Sequence, residues 1–338
     1  MNAQTEKILK TLTTEEKASL CSGKDFWHTK SIEEKGVPGI LMTDGPHGLR
    51  RLDSDTADIG IGGSAPATCF PTACLTACSF DRDLLRQMGE ALGNECREQG
   101  VQVVLGPGVN MKRSPVCGRN FEYFSEDPFL AGELAASVID GVESKGIGTS
   151  LKHFAANSQE KARFVNNSVI DERALREIYL SGFERAVKKG NPRTLMCSYN
   201  KINGVYSSEN KYLLTDILRD EWGFKGAVMS DWGAVNDRVK GVAAGLDLEM
   251  PFSGPSNDKR VVDAVKTGVL SGEDLDKTAR RMVDLVLDCP VNQTKSGSVY
   301  RENHVLAGRI VRESAVLLKN EGALPASTAS KAAVIGAF

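Results

Sequence analysis

The 338-residue chain has no run of apolar residues approaching the length that spans a bilayer. Residues Met1 to Leu20 hold no apolar segment of signal-peptide type either. Neither a membrane partner nor a cleaved leader is expected, and the expected location is cytoplasmic. A dominant charge is also lacking. The 42 lysines and arginines against 44 aspartates and glutamates leave a net charge of −2, with the basic residues scattered, so no nucleic-acid footprint is present. Histidine is scarce: His28, His47, His153 and His304 are too far apart for a local metal motif. The eight cysteines follow no zinc spacing. The densest group, Cys69, Cys74 and Cys78, lies in a stretch of small residues expected to be core, and all eight are expected as free thiols. No metal and no cofactor is expected. Asn166-Asn167-Ser168 and Asn292-Gln293-Thr294 match the glycosylation acceptor triplet, which occurs often by chance and has no consequence without secretion. No repeat at solenoid spacing interrupts the chain, and no oligomeric state follows from it.

What is present is an alternation of short apolar runs with amphipathic helices. Gly39-Ile40-Leu41-Met42-Thr43, Val101-Gln102-Val103-Val104-Leu105, Gly148-Thr149-Ser150-Leu151, Thr194-Leu195-Met196-Cys197-Ser198, Ala227-Val228-Met229 and Gly245-Leu246-Asp247-Leu248-Glu249-Met250 read as strands of a sheet covered on both faces. Between them, Asp81 precedes Leu84, Leu85, Met88 and Leu92. Asp171 precedes Leu175, Ile178, Tyr179, Phe183 and Val187, and Asn210 precedes Leu213, Leu214, Ile217, Leu218 and Trp222. Ser271 with Asp274 resembles a capping box before Leu275, Ala279, Met282 and Val286. Such stripes are read as core. The alternation predicts an α/β fold with a mostly parallel sheet, in the manner of a (β/α)8 TIM-type barrel, with room for irregularity.

In such barrels chemistry sits where strands end. The end of Ala227-Val228-Met229-Ser230 delivers Asp231 with Trp232 beside it, and Asp231 is the candidate nucleophile. The other ends carry Asp44 to Arg50, Asn110 with a loop containing Arg119, Lys152-His153, and Tyr199-Asn200, so residues distant in sequence can meet at one mouth. Simpler roles stay open for each. Asp231 can cap the following helix, and Lys152-His153 can be a strand-end ion pair. Lys152 can form a Schiff base, and Asp44, Asp231 and Glu249 can ligate magnesium. The last two leave the Arg119 loop and Trp232 unexplained.

Taken together, Asp44-Gly45-Pro46-His47-Gly48-Leu49-Arg50, Cys117-Gly118-Arg119-Asn120-Phe121-Glu122-Tyr123-Phe124-Ser125-Glu126-Asp127-Pro128, Lys152-His153-Phe154, Met196-Cys197-Ser198-Tyr199-Asn200 and Val228-Met229-Ser230-Asp231-Trp232 resemble glycoside hydrolase family 3 of the β-glucosidase type. The likeness runs in order from about residue 10 to the C-terminus. It implies a retaining, exo-acting β-glycosidase, with a terminal β-glucoside or short β-linked oligosaccharide as substrate and Asp231 as the residue that forms the covalent glycosyl-enzyme. It further implies that Asp44, Arg119, Lys152 and His153 hydrogen-bond the sugar hydroxyls. Tyr199 would orient the nucleophile, Met196 and Trp232 would wall the ring, and Arg50 would close the first motif. The Asp44 motif resembles the glucosidases more than the xylosidases or dual-specificity members, while a sugar-binding module without turnover is the alternative of different class.

A retaining glycosidase also needs a general acid/base about 5–5.5 Å from the nucleophile. In two-domain members of the family it comes from a second α/β domain. Ser314-Ala315-Val316-Leu317-Leu318-Lys319-Asn320, Leu324-Pro325 and Lys331 to Phe338 resemble the start of that domain, with its first strand last in the chain and no strand after it to pair with. The single-domain branch places a His/Asp pair after the Lys-His motif, where this chain has Ala155-Ala156-Asn157-Ser158-Gln159-Glu160. The acid/base is therefore expected to be absent from this chain. The expected organisation is a barrel over residues 1–289, a linker over 290–312 that begins with the polar stretch Pro290 to Ser298, a helix around His304 to Leu318, and the truncated second domain over 313–338.

Overall fold

The computed structural model describes residues 3–52, 63–290, 297, 299–328, 331 and 333. Its strands in chain order are β1 (Met42–Asp44), β2 (Val103–Leu105), β3 (Gly148–Phe154), β4 (Asn167–Ser168), β5 (Thr194–Cys197), β6 (Lys201–Ile202), β7 (Val205–Tyr206) and β8 (Ala227–Ser230). Strands β1, β2, β3, β5 and β8 form one parallel sheet in that order, while β4, β6 and β7 form a small sheet of their own. Isolated bridges continue the main sheet into a ring. Leu248 pairs with Met229 and Glu249 with Ser22, both in parallel; Gly23 then pairs with Thr29, and His28 with Leu41, both antiparallel. The Met42 N–H donates to the Trp27 carbonyl at 3.0 Å and closes the circle back to β1. The barrel expected from the sequence is thus present and irregular, with residues 27–29 running against both neighbours.

Alternation along the strands explains why the sheet stays buried on both faces. Val104, Leu151, Leu195, Cys197 and Val228 pack with the surrounding helices in one cluster. Met42, Val103, Leu105, Met196, Met229, Leu248 and Met250 pack in a second. All seven residues of β3 are buried.

The helices form where their caps and apolar stripes predict. The Asp81 carboxylate accepts the N–H groups of Asp83 and Leu84 at the start of Arg82–Gln99, and Gly100 ends that helix in the left-handed conformation. Ser271 caps Gly272–Asp288 through the Glu273 N–H, and Thr13 with Glu16 makes a full capping box before Thr14–Leu20. Two stripes read as helical contain wider, π-type turns, at Leu175–Tyr179 and Tyr212–Glu221.

Three expectations change. Cys69 and Cys78 are exposed and Cys74, in the short helix Ala73–Thr76, is only partly covered, so this group is not core. The helix expected around His304 to Leu318 spans Val299–Ser314 and so occupies the second part of the stretch expected as a linker. It lies on Arg82–Gln99: Asn303 Nδ2 donates to Glu95 Oε1 at 2.8 Å, and Ala307 and Ile310 join the helix-facing core. Residues 315–320 belong to no helix or strand, with Val316 and Leu317 each 61 % exposed and Leu318 91 % exposed. Of the remaining expectations, most of the Pro290 to Ser298 stretch and of the final strand Lys331 to Phe338 lies outside the described residues.

Candidate active site

One cavity of about 230 Å³ opens where the strands end, lined by Phe26, Trp27, Asp44, Arg50, Arg119, Lys152, His153, Arg163, Met196, Tyr199, Asp231 and Trp232. All nine residues singled out from the sequence are among them. Four strands deliver six of these residues. Asp44 ends β1; Lys152 and His153 are among the last three residues of β3; Met196 is in β5; Asp231 and Trp232 follow β8. The tight turn after β1 brings Arg50 back to the same mouth, its N–H donating to the Asp44 carbonyl at 3.0 Å. Gly45 is obligatory in that turn. Its φ is +130°, and a Cβ there would lie 2.3 Å from the Gly48 carbonyl oxygen.

Asp231 is 7 % exposed. Its Oδ1 accepts the Trp232 N–H at 2.8 Å, while its Oδ2 has no hydrogen-bond partner and lies 3.7 Å from His153 Nε2. Burial raises the carboxyl above its usual 3.8; Arg119, the Trp232 N–H, Lys152 and Tyr199 act in the opposite direction and do not fully cancel it. The helix-cap role is not the one observed, since the next helix, Arg238–Ala244, is capped by Asp237.

His153 is held neutral. Burial is the main cause, with Arg119, Lys152 and Arg163 adding to it, and together they hold the imidazole well below 6.5. Its Nε2 accepts from Arg119 Nη2 at 2.7 Å, so the proton sits on Nδ1, which faces the Tyr123 hydroxyl at 3.0 Å. The His153–Asp231 approach is therefore not an ion pair, and Lys152 and His153 are not paired as a charge couple. Lys152 instead lies 3.4 Å from Asp44 and 3.8 Å from Glu122. Arg119 Nε donates to Glu122 Oε1. For Arg119, burial lowers the pKa, but Tyr123, Glu122 and Asp231 outweigh it and hold the guanidinium firmly charged.

The remaining walls are aromatic and apolar. The Trp232 indole N–H donates to the Phe26 carbonyl at 2.8 Å, and the Trp27 and Trp232 rings stand 5.5 Å apart. The Tyr199 hydroxyl donates to the Trp232 carbonyl at 3.0 Å, which fixes the backbone beside Asp231. Arg163 lies over the Tyr199 ring at 4.4 Å. Phe26, Trp27 and Arg163 were not picked out from the sequence. The pair Phe26-Trp27 beside Asp25 was a usable signal, since that carboxylate accepts the Trp27 and His28 N–H groups at 2.8 Å each and turns the aromatics toward the mouth.

A magnesium site of Asp44, Asp231 and Glu249 does not form. Glu249 does not line the cavity and faces Arg238 at 3.6 Å. Among the described residues no group of three or more His, Cys, Asp or Glu side chains could hold a metal ion.

The model of the glycosyl hydrolase family 3 N terminal domain matches residues 34–285. This chain belongs to glycosyl hydrolase family 3. The family 3 chain is 54 % identical over 340 residues to thermostable beta-glucosidase B of Acetivibrio thermocellus, a match covering all of this chain and 45 % of that protein. It is 49 % identical over 356 residues to an exo-alpha-(1->6)-L-arabinopyranosidase of Bifidobacterium longum, covering all of this chain and 46 % of that one. The structure of beta-glucosidase 3B from Thermotoga neapolitana in complex with alpha-D-glucose superposes with a TM-score of 0.89 at 40 % identity, over 96 % of this chain and 48 % of that one. The family 3 chain thus spans about half the length of the relatives it matches. Phe26 and Trp27 fall before the segment that the family model covers.

Proposed function

We propose that this chain is the sugar-binding, nucleophile-bearing half of a retaining β-glycosidase that removes terminal β-D-glucosyl residues. The observation that carries the reading is the single cavity in which Asp231 stands among Asp44, Arg119, Lys152 and His153, with Trp232, Trp27 and Met196 as walls. A cavity this small suits one sugar ring rather than a drug-sized ligand, whose pockets run to about 300–1,000 Å³. Asp231 attacks the anomeric carbon from the face opposite the leaving group, with the Trp232 N–H holding Oδ1; the bond to the glycosidic oxygen breaks, that oxygen leaving with the electron pair and a proton from the general acid, and the oxocarbenium-like centre is captured by the carboxylate as an ester. Arg119 and Lys152 keep that carboxylate ionised in a buried place. Neutral His153, charged Lys152 and Arg119, and the Asp44 carboxylate hydrogen-bond the hydroxyls, and each hydroxyl left unpaired in such a site costs about 1–3 kcal/mol. The general acid/base is assigned to the half of the longer relatives that this chain does not span.

The test is mass spectrometry of the folded chain after incubation with a 2-deoxy-2-fluoro-β-glucosyl donor carrying an activated leaving group. Such a donor departs without protonation, and the fluorine slows loss of the ester. The expected result is one glucosyl adduct on the peptide holding Asp231, absent in Asp231→Asn. An adduct elsewhere, or none on the full-length protein, would overturn the assignment.

A second substrate reading is favoured by Asp44. Its side chain is 44 % exposed and lies 3.4 Å from Lys152 Nζ, which leaves it room to follow a hydroxyl in either orientation. An α-L-arabinopyranosyl ring differs from a β-D-glucosyl ring in the orientation of its 4-hydroxyl and in lacking the hydroxymethyl group, so such a site can take both. Labelling rates with the matching fluoro-arabinosyl donor decide it: a rate within tenfold of the glucosyl donor supports dual use, and no labelling excludes it.

A further inference from the structure

Glu122 is a buried carboxylate that the proposed reaction does not use. Its side chain is 8 % exposed and it is not among the cavity-lining residues. Yet it touches two of the cations that line the cavity: Oε1 accepts from Arg119 Nε, and Oε2 lies 3.8 Å from Lys152 Nζ. Each cation passes the contact on. Arg119 Nη2 donates to His153 Nε2 at 2.7 Å, and Lys152 Nζ lies 3.4 Å from Asp44 Oδ1. One carboxylate behind the pocket is thereby linked to side chains on the ends of β1 and β3 and on the loop after β2.

We infer that Glu122 is a positioning residue that sets the placement of Arg119 and Lys152, and through them the balance of charge around Asp231. An arginine and a lysine held side by side in a desolvated pocket repel each other, and a shared anion between them removes that conflict while fixing their direction. The carboxylate also tempers what the cations do. Without it, both would be free to favour the Asp231 anion more strongly. The titratable and charged groups around Glu122 are Arg119 and Tyr123 on its own loop, Lys152 and His153 from β3, Asp44 at the end of β1 and His47 from the turn after it, Glu160 from the segment after β3, and Asp231 after β8. This inference rests on the glucosyl reading of the cavity.

Two variants separate charge from reach. Glu122→Gln keeps the size and removes the charge; Glu122→Asp keeps the charge on a shorter arm. Binding of a glucose-configured iminosugar is followed by the fluorescence of the indoles at the cavity, and the rate of fluoroglucosyl labelling is measured from acid to neutral pH. The expected result is that Glu122→Gln binds the iminosugar about tenfold more weakly or worse, the scale of a lost charged hydrogen bond. Its acid limb of labelling should move to lower pH, because Asp231 stays ionised further down once a neighbouring anion is gone. Glu122→Asp should keep the limb in the wild-type place. A Glu122→Gln protein with unchanged affinity and limb would overturn the inference, as would a Glu122→Asp limb that moves as far as that of Glu122→Gln. If Glu122→Gln does not fold, an affinity for Glu122→Asp equal to the wild type's would overturn it. Wild-type protein that fails to bind the iminosugar sinks the glucosyl reading itself, an outcome distinct from wild-type binding with no effect of the variants.

Discussion

His47 stands behind the turn that presents Asp44 and Arg50, and its ring does one job that a proton would end. Nε2 accepts the Ala73 N–H at 3.0 Å, and the backbone carbonyl accepts the Phe70 N–H at 2.8 Å, so the residue ties the turn to the next helix. Burial lowers the imidazole from 6.5 to about 4, with Glu122 opposing and Lys152 adding. Because the folded value lies below the unfolded one, the stability that neutral His47 contributes is complete above about pH 6.5 and drains away as pH falls toward 4. The slope for one such group is about 1.4 kcal/mol per pH unit. His47→Gln, whose amide oxygen can accept the same N–H, should flatten the fall in unfolding free energy between pH 6.5 and 5 by about that much. Urea titrations of both proteins at three pH values measure it, and parallel curves would show that His47 is not coupled to folding. His153 is lowered in the same direction and remains in both proteins, so it cancels from the difference. At this scale the sequence identified the groups that end strands, because a charge after a buried apolar run has few reasons to be there. It did not reveal that His153 is neutral or that Glu122 underlies Arg119, since both follow from burial and from neighbours distant in the chain.

Among the helices, Arg82–Gln99 and Pro128–Glu143 pack backbone to backbone. A Cβ on Gly141 would sit 2.2 Å from the Arg86 carbonyl oxygen, and one on Gly89 would sit 2.5 Å from the Val138 carbonyl oxygen. Neither obstacle is a flexible side chain. Gly141→Ala should therefore destabilise the chain by about 1–3 kcal/mol despite the better helix propensity of alanine, because the two helices must separate. Thermal unfolding of Gly141→Ala beside Gly146→Ala, whose Cβ meets open space although its φ of +79° is itself strained, tells packing from backbone strain. Equal losses in the two would remove the packing argument. The elements readable in advance were those whose apolar residues recur with a clear period, such as the strands after Gly39 and Val101 and the stripe after Asp81. The segment 27–29 was not, because its place in the barrel is set by the Asp25 turn and by backbone bonds to residues 40 and 42 rather than by any alternation. The π-type turns escaped for a related reason: one residue more per turn leaves the apolar stripe almost unchanged.

For the molecule as a whole, the proposed function raises the question of what a chain carrying the nucleophile without the acid/base can do. Among the described residues the carboxylates lining the cavity are Asp44 and Asp231, and Asp44 is engaged with Lys152. If the acid/base lies in the part of the longer relatives outside this chain, the two chemical steps should fail unequally. Forming the ester needs an acid only when the leaving group is poor, so a dinitrophenyl β-glucoside should react in a burst of about one equivalent, while a methyl glucoside should not react. Hydrolysing the ester needs a base to deprotonate water, a contribution of about 10²–10⁴ in rate. Azide needs no deprotonation. Added azide should therefore raise steady-state turnover of the dinitrophenyl substrate and divert the product to β-glucosyl azide, the configuration retained because azide enters from the face opposite Asp231. Stopped-flow release of dinitrophenol with and without azide, and the anomeric coupling constant of the azide product, measure both. Steady turnover with no burst and no azide effect would mean that a carboxyl group within this chain already serves as acid and base, and Asp44→Asn would then be the variant to abolish it.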